Sequence, residues 1–155
     1  MGTHREDLEY VGFWARTGAM LIDTILLSIV IYPLLTLFYG EAYWLSQRFI
    51  VGPFDFLLSW VFPAVAVILF WMKMQATPGK LALGVKIVDA KTGNPASTGK
   101  LVIRYFAYAL SMVVVGLGFL WIAFDSRKQG LHDKIAGTVV VRKKNRGPEP
   151  VLFNE

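Results

Sequence analysis

The chain has 155 residues, 55% of them hydrophobic and 17% charged, with a formal net charge of +5 and no cysteine. A typical soluble domain carries about 25% charged residues, and here the apolar residues gather into long runs, which excludes an ordinary soluble domain; the missing cysteines exclude disulfides, thiolate metal sites and cysteine nucleophiles. The basic charge comes without a helix-turn-helix, zinc-finger or RNA-binding signature, so nucleic acid is not an expected partner, and its position beside apolar runs fits contact with anionic membrane lipid.

Residues 1–12 form a polar N-terminal segment with His4, Arg5, Glu6, Asp7 and Glu9. The apolar run that follows lacks the small-residue cleavage site of a signal peptide and is near the ~20 residues that cross about 30 Å of hydrocarbon. It predicts a first membrane helix from about Phe13 to Phe38, carrying Arg16 and Asp23, with Pro33 tolerated inside it. Gly40 to Asp55 is a mixed connector whose Trp44, Phe49 and Ile50 predict a short interfacial helix. Phe56 to Met74 is the second span, with Trp60 and Trp71 as anchors and Lys73 snorkelling at the inner end.

Thr77-Pro78-Gly79-Lys80 then breaks the helix. It resembles a phosphate loop only superficially, because the preceding glycine and the following Ser/Thr are missing. Leu81 to Asp89 alternates loosely as a strand, Thr92-Gly93-Asn94-Pro95 reads as a turn, and Thr138 to Val141 reads as a second short strand. Between them lies a third apolar segment, Leu101 to Phe124. Residues 143–155 are expected to be a flexible tail.

Lys73, Lys80, Lys86, Lys91, Lys100 and Arg104 assign the connector after the second span to the cytoplasm, and the N-terminus, two crossings earlier, with it. A third full crossing would put Arg127, Lys128, Lys134 and the basic tail outside, against the positive-inside tendency. A re-entrant hairpin turning near Gly116 and Gly118 would keep both flanks inside and let the two strands pair in one cap, although the segment's length suits a single crossing. The hairpin is the preferred reading; the single crossing stays open. The expected fold is an all-α integral membrane protein: two full spans, a third apolar segment (re-entrant hairpin or third span), and a small cytoplasmic β element, with residues 13–142 as the membrane domain.

Arg16 and Asp23, seven residues apart, fall within about 20° of each other around a helix and ~10 Å apart along it. An ionised carboxylate at that depth costs about 2.5–3.5 kcal/mol even on a lenient insertion scale, so Asp23 must be paired, wetted, protonated or used. A structural ion pair or hydrogen bond is one reading; a cation or proton site is the other. A second constellation, Asp125 to Lys134, caps the third segment, and Asp125 and Asp133 are each placed to reach Arg16 or Arg104. His132 beside Asp133 invites a metal or a proton relay, but two histidines without cysteine make no metal site by themselves. No nucleophile elbow or spaced carboxylate pair suggests an enzyme, and no cofactor is expected.

The ordered set of landmarks resembles the RDD family of prokaryotic membrane proteins, named for one arginine and two aspartates. It runs through Gly12-Phe13-Trp14-Ala15-Arg16, Leu21-Ile22-Asp23, Gln75-Ala76-Thr77-Pro78-Gly79-Lys80-Leu81, Gly84 to Asp89, Gly118 to Trp121 and Gln129 to Thr138. The resemblance makes Arg16 the family arginine, Asp23 the first aspartate and Asp133 the second, with Asp125 as competitor. It implies a multi-pass protein of the prokaryotic plasma or inner membrane and a role in transport of an unknown ligand, with monovalent cation/proton exchange attributed to some similar proteins. On that reading Asp23 binds the cation or proton, and Arg16 and Asp133 tune it, with Arg104, His132 and Lys80 as further contributors. A chain this short would then need to work as a homo-oligomer. The alternative is a non-transporting module that binds lipid or a small molecule, or scaffolds another membrane protein, with the same charges fixing helix packing.

Overall fold

The computed structural model describes residues 7–113 and 117–144. Strand β1 (Leu8–Tyr10) leads into α1 (Phe13–Tyr39). At about 1.5 Å per residue, the 27 residues of α1 exceed the hydrocarbon thickness, and tilt absorbs such an excess. The helix ends at Gly40, whose φ of +65° places it in the left-handed region that glycine accepts without cost, and whose N–H donates to the Thr36 carbonyl at 2.8 Å. A short helix, α2 (Glu41–Leu45), sits in the connector and includes Trp44, whereas Phe49 and Ile50, expected in the same helix, lie in the irregular stretch after it.

The second long element is one helical run from Pro53 to Met74. It comprises α3 (Pro53–Phe56), a π-helical turn at Leu57–Val61 and α4 (Phe62–Met74). The wide turn has a local cause. Pro63 has no N–H to donate to the fourth residue before it, and the helix widens just where that bond is missing. The run stops at Gln75, in the left-handed region at φ +58°, with its N–H on the Trp71 carbonyl at 3.0 Å.

Thr77 then starts a one-turn helix, α5 (Pro78–Ala82), with proline at its first position. Leu81 and Ala82, read from the sequence as the start of a strand, therefore belong to a helix, and β2 covers Val85–Asp89 only. The third apolar segment is two helices, α6 (Thr98–Val113) and α7 (Leu117–Phe124). The turn anticipated at Gly116 lies outside the described residues. Helix α8 (Leu131–Ala136) and β3 (Thr138–Lys143) complete the chain; the tail beyond residue 144 also lies outside them.

The sheet has the order β1-β3-β2, with both pairings antiparallel. β3 pairs Val85 with Arg142 through Asp89 with Thr138 on one side and Leu8 with Lys143 on the other. This sheet collects the start of α1, the chain after α4 and α5, and the chain after α7 and α8. Both ends of the third apolar segment thus meet the same sheet. Lys143 and residues 8–10, assigned by sequence to the tail and the polar start, are ladder residues.

Polarity is distributed inside out. Trp14, Leu37 and Phe124 are 82%, 84% and 87% exposed, whereas Arg16, Lys80, Arg104, His132 and Asp133 are buried. Helix α6 shows the inversion within one element. Its buried face is Leu101, Arg104, Ala107 and Ser111, and its outer face carries Ile103, Phe106 and Leu110. Water would select the opposite arrangement. Two helices are long and apolar enough to cross a bilayer, and little of either is buried within the chain, as lipid contact would require.

Candidate functional site

Asp133 is the centre of the buried polar layer. It stands at the third position of α8, and its Oδ2 accepts the Gly130 N–H at 2.8 Å, which closes the N-terminal end of that helix. The same oxygen accepts Arg16 Nη1 from α1 at 2.5 Å, and Oδ1 accepts Arg104 Nη1 from α6. All three side chains are buried. Burial alone would raise the Asp133 pKa, but the two guanidiniums, with His132 and the Gly130 N–H, outweigh it and hold the carboxyl below the usual range. Asp133 is therefore an ionised pivot between three helices.

Each arginine also satisfies backbone or hydroxyl groups. Arg16 donates from Nε to the Val11 carbonyl at 3.0 Å and from Nη2 to the Lys128 carbonyl at 2.5 Å. It thereby holds the junction between β1 and α1 and the loop before α8. Arg104 donates from Nη1 to Thr138 Oγ1 at 2.6 Å, and Gln129 Nε2 donates to the Thr138 carbonyl at 2.8 Å, so the first residue of β3 is fixed twice. The planar fork of arginine suits such multiple bonding.

Aromatic rings close this layer. The Arg104 guanidinium lies 5.4 Å from the Trp71 ring centre and 5.6 Å from that of Tyr108. Lys80 Nζ lies 5.4 and 5.9 Å from the same two rings, within cation–π range. Among the described residues Lys80 makes no ion pair. Burial, reinforced by Arg104 and Arg16, lowers its pKa from 10.5 to about 7. His132 stacks on Tyr108 with ring centres 3.9 Å apart, and burial lowers its pKa to about 3, so it is neutral at physiological pH.

Asp23 stands apart from the Arg16–Asp133 pair. Its Oδ1 accepts the Gly79 N–H at 2.7 Å and its Oδ2 accepts the Thr77 hydroxyl. Helix α1 thus supplies, from 54 residues earlier, the side chain that satisfies the start of α5. Gly79 makes this approach possible: a Cβ there would come within 2.1 Å of the Ala19 carbonyl oxygen and 3.0 Å of Asp23 Cγ. Asp125 lies elsewhere again. It bonds Lys134 at 2.6 Å and accepts the Arg127 and Gln129 N–H groups at 3.1 Å.

Of the residues singled out by sequence, then, Arg16, Arg104 and Asp133 meet, His132 and Lys80 flank them, and Asp23 and Asp125 serve separate contacts. Thr138, Gln129, Trp71 and Tyr108 escaped sequence reasoning as members of the layer. The arginine at position 104 gave the available signal, since a charge inside an apolar helix requires partners.

The RDD family model matches residues 10–137. The uncharacterized protein YxaI of Bacillus subtilis is 36% identical over 85% of this chain and 97% of its own length. The uncharacterized membrane protein YteJ of the same organism is 27% identical over 87% of this chain and 82% of its own. The proline-rich antigen of Mycobacterium leprae is 27% identical over 77% of this chain, which covers half of that protein. No solved structure matches.

Proposed function

The chain belongs to the RDD family, and from that premise we propose that it is a membrane module that binds a ligand without transporting it, its buried charges serving to lock helices to the sheet. The observation that carries this reading is that both aspartates are engaged by the chain itself, Asp133 between two guanidiniums and Asp23 at the start of α5. Asp133 accepts from Arg16, Arg104 and Gly130, and Asp23 accepts from Thr77 and Gly79. With two guanidiniums already neutralising it, Asp133 has little to offer a cation until those ion pairs break.

In this reading the sheet faces the cytoplasm. Lys86, Lys91, Lys100, Arg127, Lys128, Lys134, Arg142, Lys143 and Lys144 lie on or beside it, against Arg48 alone in the connector 40–52. The third apolar segment enters and returns, because β2 before it and β3 after it share one ladder. Helix α6, about 24 Å long, and α7, about 12 Å, each fall short of the hydrocarbon thickness. Lipid covers the apolar outer faces. Reporters fused before Met1 and after Glu155 should fall on the same side of the membrane; opposite sides would overturn this topology.

Cation/proton exchange by a homo-oligomer is the second reading, favoured by Lys80: a buried amine whose pKa is lowered to about 7 and that makes no ion pair among the described residues suits proton exchange. Proteoliposomes with an imposed sodium, potassium or pH gradient separate the two. The binding reading expects flux at the level of empty vesicles, and Asp23→Asn to alter stability alone. Flux that saturates with cation and disappears in Asp23→Asn would establish exchange instead.

A further inference from the structure

A cleft of about 500 Å³ opens at the end of the two long helices remote from the sheet, within the size range of small-molecule sites. It lies between the second half of α1 and the π-helical turn, roofed by α2 and the connector. Asp55 lines it and is only 3% exposed. Its Oδ1 accepts the Ser59 hydroxyl at 2.7 Å and its Oδ2 the Val51 N–H at 2.8 Å. Each oxygen thus holds one donor and keeps a further acceptor position. The π-helical turn carries Ser59, and such turns recur at functional sites.

The rest of the lining gives the cleft two chemical ends. Ser28 presents a hydroxyl that makes no hydrogen bond among the described residues. Trp44 and Trp60 supply aromatic walls, the latter packed on Phe49 with ring centres 5.2 Å apart. Arg48, exposed at the same cleft, has a guanidinium without an ion pair or hydrogen bond among the described residues. An anionic floor, aromatic walls and a free guanidinium at the rim match a molecule that carries an ammonium and an acid group together.

We propose that this cleft binds a zwitterion, its ammonium on Asp55 between the tryptophans and its phosphate or carboxylate on Arg48. The same chemistry occurs in a soluble phosphoethanolamine and in the headgroup of a phosphatidylethanolamine lipid, either of which can reach a cleft at the membrane boundary. This deepens the binding-module reading and rests on it for significance only. Flux in proteoliposomes would sink that reading, whereas the inference stands or falls on occupancy of the cleft.

The full chain in phosphatidylglycerol nanodiscs, whose headgroup has no ammonium, is titrated with phosphoethanolamine while tryptophan emission is followed, and in parallel is placed in nanodiscs containing phosphatidylethanolamine. A saturable change with the soluble probe supports the inference and indicates a free ligand. A change seen with the ethanolamine lipid alone supports it and indicates a lipid headgroup. In either case Asp55→Asn and Arg48→Gln should each weaken binding by about tenfold or more, the loss expected for one charge-assisted contact. Arg48 is exposed and its substitution leaves the packing intact, so it serves if Asp55→Asn fails to fold. No change with either probe, or binding that survives Arg48→Gln undiminished, overturns the proposal.

Discussion

Two buried carboxylates in this protein do opposite things with their surroundings. Asp133, at the sheet end, is enclosed by two arginines and a backbone N–H, with aromatic rings packed over the guanidinium that reaches it. Asp55, at the other end, holds one hydroxyl and one N–H and faces an open cleft with hydroxyl and aromatic walls. Burial costs both groups their hydration, but only Asp133 has that loss made good entirely by the protein. The lesson is that a buried charge does not by itself mark a ligand site. What distinguishes the two is spare hydrogen-bonding capacity beside empty space.

The strongest way to break this comparison is Asp133→Asn. It should leave two buried guanidiniums without their anion and destabilise the fold by about 3–5 kcal/mol, read from denaturant unfolding in micelles. A loss below about 1 kcal/mol would mean that the layer is not the lock described here. Next in size, Gly79→Ala should cost about 1–3 kcal/mol, because the added methyl meets the backbone of Ala19 and not a yielding side chain. The same unfolding assay checks it, and an unaffected midpoint would refute the close seating of α5 on α1.

The pH dependence sharpens the contrast further. Lys80 titrates at about 7 in the folded chain against an ordinary 10.5. Between those values the unfolded chain holds more protons, so stability should rise with pH from about 7 towards 10.5, by at most ~1.4 kcal/mol per unit. Below that window the lysine is charged in both states and the burial penalty is complete. Lys80→Met should flatten the profile, as unfolding midpoints measured from pH 6 to 10 would reveal; an identical slope in the variant would assign the effect to another group. Least of all should come Glu9→Gln. The Glu9–Arg142 pair spans β1 and β3 at 2.5 Å with both side chains over a third exposed, and such pairs contribute about 0–1 kcal/mol. A clearly larger loss in the unfolding assay would show that the sheet rim, and not the buried layer, holds the N-terminal strand.

Some of this was legible from local pattern. The two long helices, the short connector helix, β2 and β3 follow from runs of apolar residues, from Pro and Gly positions and from alternation. The need of Arg16, Asp23, Arg104 and Asp133 for company follows from the cost of charge among apolar residues. Strand β1 was not legible, because Leu8-Glu9-Tyr10 is too short to carry a period and is ordered by its pairing with β3. Helix α8 escaped for a similar reason: six residues are held by Asp133 bonding back to Gly130 and by contact with α6.

The sequence alone determined that charged residues would be sealed within an apolar chain, since the oily runs leave them no water. Partner choice was decided by the tertiary structure. Arg16 and Asp23 share a helix face, yet Arg16 reaches Asp133, 117 residues away, and Asp23 turns to Thr77 and Gly79. The reason is physical: seven residues set two side chains about 10 Å apart along a helix, too far for a hydrogen bond, so each must find its counterpart on whichever element the fold brings within about 3 Å.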